Sequence, residues 1–281
     1  MLCRRGDAAF CQSAADGGVT MPIPCAYSIE GHGPPLFLIH GIGAARNTWA
    51  KLLPILTPHY TVITYDLRGH GASPLPEGSF DLDDLVADLA YLQEQTGFDQ
   101  AHFAGHSLGG MIGPAYAKRY PERVLSLGLL STAAFRTEDD SQKVWAVVKA
   151  MEERGIPNVL ETLTDRWFTD GFIASHGEVV RRRLDQVIAT DAEVFLNVFR
   201  IYAGTEMAPW IHEISAPSLV LTGENDGGCN PRLNQQIAAA MPDAELVILP
   251  NYKHSLLLEA GDVVAEHIHR FIAARFDETL G

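Results

Sequence analysis

The chain has 281 residues, of which 47% are hydrophobic and 20% are charged, and its formal net charge at pH 7 is −14. The length suits one α/β domain with a small inserted lobe. The negative charge argues against nucleic acid as a partner, because phosphate binding needs clustered Lys and Arg, and it disfavours docking on an anionic membrane. No apolar run approaches the roughly 18–20 residues that cross a bilayer, so we expect no membrane partner.

The first twenty residues lack the continuous apolar stretch of a secretory signal, so we expect residues 1–20 to form a flexible tail. The chain has four cysteines, Cys3, Cys11, Cys25 and Cys229, and their spacing matches neither a zinc site nor a disulfide framework. This pattern favours a reducing environment, and we therefore expect a cytoplasmic protein.

Short apolar segments alternate with helical patterns along most of the chain. The strands are predicted at 35–39, 61–65, 101–104, 124–130, 218–222 and 245–249, and the helices at 48–56, 82–95, 108–119, 231–240 and 263–275. Pro121 ends the third of these helices. Nearly continuous apolar strands between helices indicate an α/β fold with a parallel sheet covered on both faces.

The alternation stops between residues 135 and 216, where strand patterns disappear and several amphipathic helical patterns follow one another. We predict that residues 135–216 form a helical cap. The sheet-containing core then comprises residues 21–134 and 217–281.

A G-x-S-x-G motif lies where the predicted strand 101–104 gives way to a helix, with Ser107 between Gly105 and Gly109. A nucleophile on such a turn has strained backbone angles and needs small neighbours, and the following helix directs its N-terminus towards developing negative charge. A glycine-containing turn without a catalytic role is the alternative for the bare pattern. The strand–turn–helix context favours Ser107 as a nucleophile.

A serine nucleophile needs a base that is oriented by an acid. Asp226 follows the strand 218–222 and His254 follows the strand 245–249, which places both at the carboxyl edge of the sheet after Ser107 in chain order. We predict Ser107, Asp226 and His254 as a catalytic triad. Glu224 is the alternative acid, but the shorter side chain of Asp226, further along the loop, suits the geometry better.

The loop after the first predicted strand contains His40, Gly41, Ile42 and Gly43. Where a serine nucleophile lies on such a strand–helix turn, a loop of this kind supplies one oxyanion-hole N–H, and the residue after the nucleophile supplies the other. We therefore predict the main-chain N–H groups of Ile42 and Leu108 as the oxyanion hole. His40 is interpreted as a structural residue, and so is the turn over residues 66–73.

The motifs HGIG, DLRGHGAS, GHSLGG and TGEND, together with the late His254, resemble the α/β-hydrolase superfamily from about residue 27 to residue 271. The chain is most similar to the branch of small esterases and 3-oxoadipate enol-lactonases. Haloalkane dehalogenases and epoxide hydrolases have Asp at the position of Ser107, so both activities are disfavoured. Carbon–carbon bond hydrolases commonly have Trp directly after the catalytic histidine, and Ser255 at this position makes that activity less favoured. Perhydrolases usually have Pro in the loop that contains Gly43, and this chain has none there.

The resemblance implies a hydrolase that cleaves an ester, lactone or amide of a small molecule by a Ser-His-Asp mechanism with no metal and no organic cofactor. Two alternatives stay open. One is carbon–carbon bond hydrolysis by the same triad, and the other is a ligand-binding receptor on a hydrolase fold.

Cap residues are the candidates for substrate binding. Arg183 lies on the same helical face as Val179, Val180, Leu184 and Val187. It could lay its stem over the core and reach water or a carboxylate, or it could bind a carboxylate of the substrate by a bidentate pair. Arg166 and Trp167 are further candidates.

Overall fold

The computed structural model of the protein describes residues 21–276, so the predicted tail over residues 1–20 lies outside the described part. The chain forms a seven-stranded sheet with the order β1-β3-β2-β4-β5-β6-β7. The strands are β1 (Tyr27–Gly31), β2 (Pro35–Ile39), β3 (Thr61–Tyr65), β4 (Ala101–His106), β5 (Val124–Leu130), β6 (Ser218–Gly223) and β7 (Ala244–Leu249). All neighbouring pairs are parallel except β1 with β3, which confirms the predicted α/β fold.

Helices cover both faces of the sheet and fill the segment between β5 and β6. They are α1 (Leu53–Leu56), α2 (Leu82–Thr96), α3 (Gly109–Arg119), α4 (Glu138–Arg154), α5 (Leu160–Trp167), α6 (Asp170–Ser175), α7 (Gly177–Ala189), α8 (Ala192–Gly204), α9 (Pro231–Ala240), α10 (Leu256–Glu259) and α11 (Gly261–Phe276). Within residues 21–276, no helix has both the length and the apolar character of a membrane span. Helices α4–α8 lie inside the segment predicted as the cap.

The short helix α10 was not predicted, and the structure differs from the predicted elements at two further places. Strand β1 was not predicted, because most of its side chains are exposed and it carries no apolar run. The helix predicted at 48–56 is divided into a 3₁₀ turn over Arg46–Trp49 and the short helix α1. Pro54, the second residue of α1, explains the division, since proline has no N–H and its ring crowds the preceding turn.

The sheet separates two apolar cores. The larger core contains Phe37, Phe103 and Met111 and continues into the cap through Phe195 and other side chains of α8. The smaller core lies on the opposite face, where residues of α11 pack on β2 and β6. Because the large core is shared, the cap is held on the sheet edge where the predicted site residues lie.

The turn after β3 contains a buried ion pair. Arg68 donates from Nε and Nη2 to the two carboxylate oxygens of Asp88, both at 2.7 Å, and both side chains are only 1% exposed. Asp88 also accepts a hydrogen bond from the main-chain N–H of Ile23. Arg68 Nη1 also lies 3.9 Å from Asp84 Oδ1, but Asp88 accepts the two shorter bonds. Removing Asp88 therefore leaves the buried guanidinium with its more distant carboxylate only, which is strongly destabilising.

We expect Asp88→Ala to lower the free energy of unfolding by about 3–5 kcal/mol. Glu94→Ala is the matched control on the same helix, because Glu94 forms a 3.2 Å pair with Arg123 that is largely exposed, and its loss should cost less than about 1 kcal/mol. Urea denaturation followed by circular dichroism measures both. Equal losses in the two variants would show that the buried Arg68–Asp88 pair stabilises the fold no more than the exposed pair does.

Candidate active site

Ser107 lies on a sharp turn between β4 and α3 and has a positive φ of 57°. Its neighbours have no room for a side chain. A Cβ on Gly105 would overlap the carbonyl oxygen of Gly109, and a Cβ on Gly109 would overlap that of Ile39. The main-chain N–H of Ser107 donates to the carbonyl of Leu130 at 2.9 Å, which fixes the turn against β5. The glycines are therefore required by close approach of the backbone.

Asp226 and His254 come from the loops after β6 and β7. The His254 Nδ1 atom lies 2.7 Å from Asp226 Oδ2, and Asp226 is 2% exposed. The other carboxylate oxygen of Asp226 accepts hydrogen bonds from the N–H groups of Gly228 at 3.0 Å and Cys229 at 2.8 Å. Since His254 Nδ1 donates to the carboxylate, the neutral ring keeps a lone pair on Nε2.

His254 and Asp226 shift each other's pKa. Burial alone would lower the pKa of His254, but the carboxylate of Asp226 outweighs burial and raises that pKa above its usual range. Burial alone would raise the pKa of Asp226, and the charge of His254 together with the two loop N–H groups lowers it instead. Asp226 is therefore an ionised acceptor beside the imidazole.

Glu224, the alternative acid, is directed elsewhere. Its side chain is exposed and accepts a 2.9 Å hydrogen bond from the main-chain N–H of Asn251, in the loop after β7. Asn251 has a positive φ of 67°. The structure thus brings Asp226 to His254 and uses Glu224 to hold a turn.

Ser107 and His254 line the same cavity. Within residues 21–276, no hydrogen bond joins the side chains of Ser107 and His254. Such bonds are often long before substrate binds and shorten in the complex.

The loop formed by residues 41–43, called here the 41–43 loop, is held by two neutral histidines. His40 Nε2 accepts from the N–H of Leu67 at 2.9 Å, so its Nδ1 donates to the carbonyl of Gly41 at 2.8 Å. His70 Nε2 accepts from the N–H of Gly43 at 3.2 Å. Burial lowers the pKa of His70 to about 4 and that of His40 well below 6.5, so both rings stay neutral.

Two main-chain N–H groups flank the Ser107 turn without a partner in the described part of the chain. They belong to Ile42, in the 41–43 loop, and to Leu108, which is the residue before the first turn of α3. Both residues are buried, at 8% and 0% exposure. Buried N–H groups are rarely left unpaired, which makes this pair available to a ligand.

A cavity of about 950 Å³, its open mouth included, lies between the sheet edge and the cap. Ser107, Asp226 and His254 line it from the core. The cap contributes a wall that is mostly apolar but contains two arginines, and it is formed by Val144, Val147, Leu163, Arg166, Trp167, Arg183, Phe199 and Tyr202. A concave site with a mostly apolar wall and a few polar groups is typical of small-molecule binding.

Arg183 reaches from helix α7 to the 41–43 loop. Its Nη1 donates to the carbonyl of Gly43 at 2.6 Å, and its Nη2 donates to the carbonyl of Ile42 at 2.8 Å. The guanidinium lies over the ring of Trp167 at 5.0 Å. Burial lowers the pKa of Arg183 to about 10. Within residues 21–276, no carboxylate lies within 4.0 Å of its guanidinium. The primary contact of Arg183 is thus the main chain of the loop.

Arg166 and Trp167, the other cap candidates, both line the cavity. Arg166 is exposed and forms no ion pair within 4.0 Å in the described residues. Trp167 accepts a 2.8 Å hydrogen bond at its carbonyl from the N–H of Ser255, the residue after His254. The cap is therefore attached directly to the main chain beside the imidazole.

The chain matches a known protein family. The family described as having the alpha/beta hydrolase fold matches residues 34–162. 3-oxoadipate enol-lactonase 2 of Acinetobacter baylyi is 32% identical over 193 residues, which cover 69% of this chain and 72% of that protein. The chain belongs to the α/β-hydrolase family.

Two further relatives cover nearly the whole of this α/β hydrolase. The (E)-2-((N-methylformamido)methylene)succinate hydrolase of Acinetobacter baylyi is 26% identical over 249 residues, which cover 88% of this chain and 93% of that protein. The crystal structure of the enol-lactonase from Burkholderia xenovorans LB400 superimposes with a TM-score of 0.82 and 25% identity, covering 89% of this chain and 96% of that one. These relatives are hydrolases.

Two residues of this α/β hydrolase lie beside the site and were not predicted there. His106 donates from Nε2 to the carbonyl of His254 at 2.9 Å, and burial is the main cause that lowers its pKa to about 3. Cys229 is 1% exposed, lines the cavity and lies 3.1 Å from the hydroxyl of Tyr202. The only sequence feature that indicated a location of Cys229 near the site was its position three residues after Asp226.

Proposed function

We propose that this chain hydrolyses a carboxylic ester, lactone or amide of a small metabolite, with Ser107 as nucleophile, His254 as base and Asp226 as the acid that orients it. The observation that carries the proposal is the 2.7 Å pair of His254 and Asp226 in the cavity that also contains Ser107. Unpaired N–H groups beside the serine and the hydrolase relatives support it.

In the first step, Ser107 Oγ attacks the carbonyl carbon while His254 Nε2 accepts the hydroxyl proton. Asp226 holds the Nδ1 proton and stabilises the imidazolium that forms. The N–H groups of Ile42 and Leu108 donate to the oxyanion of the tetrahedral intermediate. The imidazolium then gives its proton to the leaving group, and an acyl-enzyme results.

In the second step, water replaces the leaving group. His254 Nε2 accepts a proton from water as its oxygen attacks the acyl carbon, and the same N–H groups stabilise the second oxyanion. Collapse of this intermediate returns the proton to Ser107 Oγ and releases the acid.

The cap favours a substrate that carries a carboxylate. Arg183 uses two of its five N–H donors on the 41–43 loop, and the others remain for a ligand. Arg166 adds a second positive charge to the cavity wall. In a chain with a net charge of −14, these local cations are what would attract an anion. Two relatives are named for oxoadipate and succinate compounds, which are dicarboxylates.

We expect Ser107→Ala to lower kcat on a p-nitrophenyl ester by on the order of 10⁴–10⁶ while the circular dichroism spectrum stays unchanged. A fluorophosphonate probe should label Ser107 in the unmodified chain, which should also release nitrophenol over many turnovers. Undiminished labelling of the Ser107→Ala protein would overturn the nucleophile. Release of a single equivalent of nitrophenol by the unmodified chain would favour a receptor.

Asp226→Asn should lower kcat by on the order of 10³–10⁴, because it disturbs the His254 tautomer. Glu224→Gln is the control, and its kcat should change by less than about threefold, since Glu224 only holds a turn. Activity needs neutral His254 and is lost as the pH falls through its pKa. Asp226→Asn removes the charge that raises this pKa, so the midpoint of the residual activity should move to lower pH. The reverse order of the two kcat losses would assign Glu224 as the acid.

Arg183→Leu should lower kcat by about 10–100-fold on a neutral ester and on an anionic ester of similar size, because it releases both carbonyls of the loop that carries an oxyanion-hole donor. It should also raise KM on the anionic ester, because the donors that remain for a carboxylate are lost. Arg166→Leu should raise KM about fivefold on the anionic ester alone. Arg182→Leu, at an exposed position of the same helix as Arg183, is the control and should change neither. A loss in Arg183→Leu that is confined to the anionic ester would show that Arg183 acts on the substrate rather than on the loop.

A further inference from the structure

Three different metal-binding side chains meet at the inner end of the cavity. Ligand atoms of Asp226, Cys229 and His254 all lie within 4.8 Å of one another, and all three residues line the cavity. A thiol, an imidazole and a carboxylate are the groups that Zn²⁺ binds in proteins. Nothing in the proposed reaction uses the Cys229 thiol, although it lies beside the imidazole.

We propose that Asp226, Cys229 and His254 form a binding site for one Zn²⁺ ion and that the bound ion reversibly inhibits the hydrolase. The site would be three-coordinate from the protein, with the fourth position of the tetrahedron open to the cavity for water. Zn²⁺ binding itself is independent of the proposed reaction, whereas the inhibition rests on the proposed role of His254.

The geometry is close to what the ion needs. Zinc–ligand distances of 2.0–2.3 Å place tetrahedral ligand atoms about 3.3–3.8 Å apart. The Asp226–His254 contact of 2.7 Å must therefore lengthen, and the widest separation of 4.8 Å must shorten by about 1 Å, which side-chain rotation provides. Asp226 keeps its support, because its Oδ1 is bound by the N–H groups of Gly228 and Cys229.

Tyr202 supplies a partner for the thiolate. Its hydroxyl lies 3.1 Å from Cys229 Sγ, and both groups are buried. In the free protein either atom can donate, but a thiolate can only accept, so the Tyr202 hydroxyl would turn its proton towards sulfur. Metal ligands are commonly oriented by such outer contacts.

The inhibition follows from where the protons go. Zn²⁺ displaces the proton of the Cys229 thiol, which leaves to solvent. The ion takes the place of the proton on His254 Nδ1, and the neutral imidazole then carries its proton on Nε2. An Nε2–H cannot accept the proton of Ser107. The ion thus blocks the base without oxidising or covalently modifying any residue, and a chelator restores the original tautomer.

The binding test uses the full-length Ser107→Ala protein, so that catalysis plays no part. Calorimetric titration with Zn²⁺ in a buffer that does not bind metal should show one site per chain. Cys229→Ser and His254→Ala, added to this background, should each weaken that site by at least about tenfold. Co²⁺ in place of Zn²⁺ should give a thiolate-to-cobalt absorption band that Cys229→Ser abolishes.

Other cysteines provide the matched controls. Cys3→Ser combined with Cys11→Ser removes the thiols of residues 1–20, and Cys25→Ser removes a buried thiol that does not line the cavity. All of these control variants should bind Zn²⁺ as the unmodified chain does. If the double variant loses the site while Cys229→Ser retains it, the proposal is overturned.

The inhibition test uses the unmodified chain, which retains Ser107, and an ester substrate. Zn²⁺ should stop turnover, and EDTA should restore it. The Cys229→Ser variant should need at least about tenfold more Zn²⁺ for half inhibition, measured relative to its own zinc-free rate. Equal sensitivity of the two proteins would overturn the inhibitory site. A chain that binds Zn²⁺ through Cys229 but does not lose turnover would instead contradict the proposed role of His254, which separates the two failures.

Discussion

The rest of the site depends on the lack of space at the turn after β4. Ser107 takes a left-handed conformation there, and the two glycines that flank it touch the backbone of α3 and β2 so closely that neither position admits a Cβ. Because β4 is parallel to its neighbours, this turn opens at the same sheet edge as the loops after β2, β6 and β7. The partners of Ser107 are thus gathered by sheet topology, although 28 residues separate Asp226 from His254.

The sequence predicted the parts of this arrangement that have a local pattern. The buried strands showed apolar runs, and the tight turn showed G-x-S-x-G, so the α/β fold and the positions of Ser107, Asp226 and His254 at one edge could be expected. Strand β1 has an exposed surface and no such pattern. The partners of Arg183 could not be found either, because helical phase shows that a side chain faces the core but not that carbonyls of a loop 140 residues earlier receive it.

Four histidines near the site are distinguished by their surroundings rather than by their chemistry. His40 and His70 are buried and His106 is half-buried, and none of the three has a carboxylate in hydrogen-bond contact. Loss of contact with water lowers the pKa of each ring and keeps it neutral, so the rings act as hydrogen-bond partners of the backbone. His254 is hydrogen-bonded to Asp226, and the carboxylate is the main cause that reverses the effect of burial on the pKa of this ring. Electrostatics thus distinguishes the ring of the proposed base from the three rings that hold the backbone.

The cap is joined to the site by main-chain contacts at two points, the Arg183 bonds to the 41–43 loop and the bond from the Ser255 N–H to the Trp167 carbonyl. Displacing helices α5 and α7 would break the contacts at both points, one beside a proposed oxyanion-hole donor and the other beside the proposed base. The proposed base and a proposed oxyanion-hole donor therefore keep their positions only while the cap stays in place. Sequence changes in the cap that alter the fit of a substrate would thus also shift these two groups, so specificity and rate would be coupled in this fold.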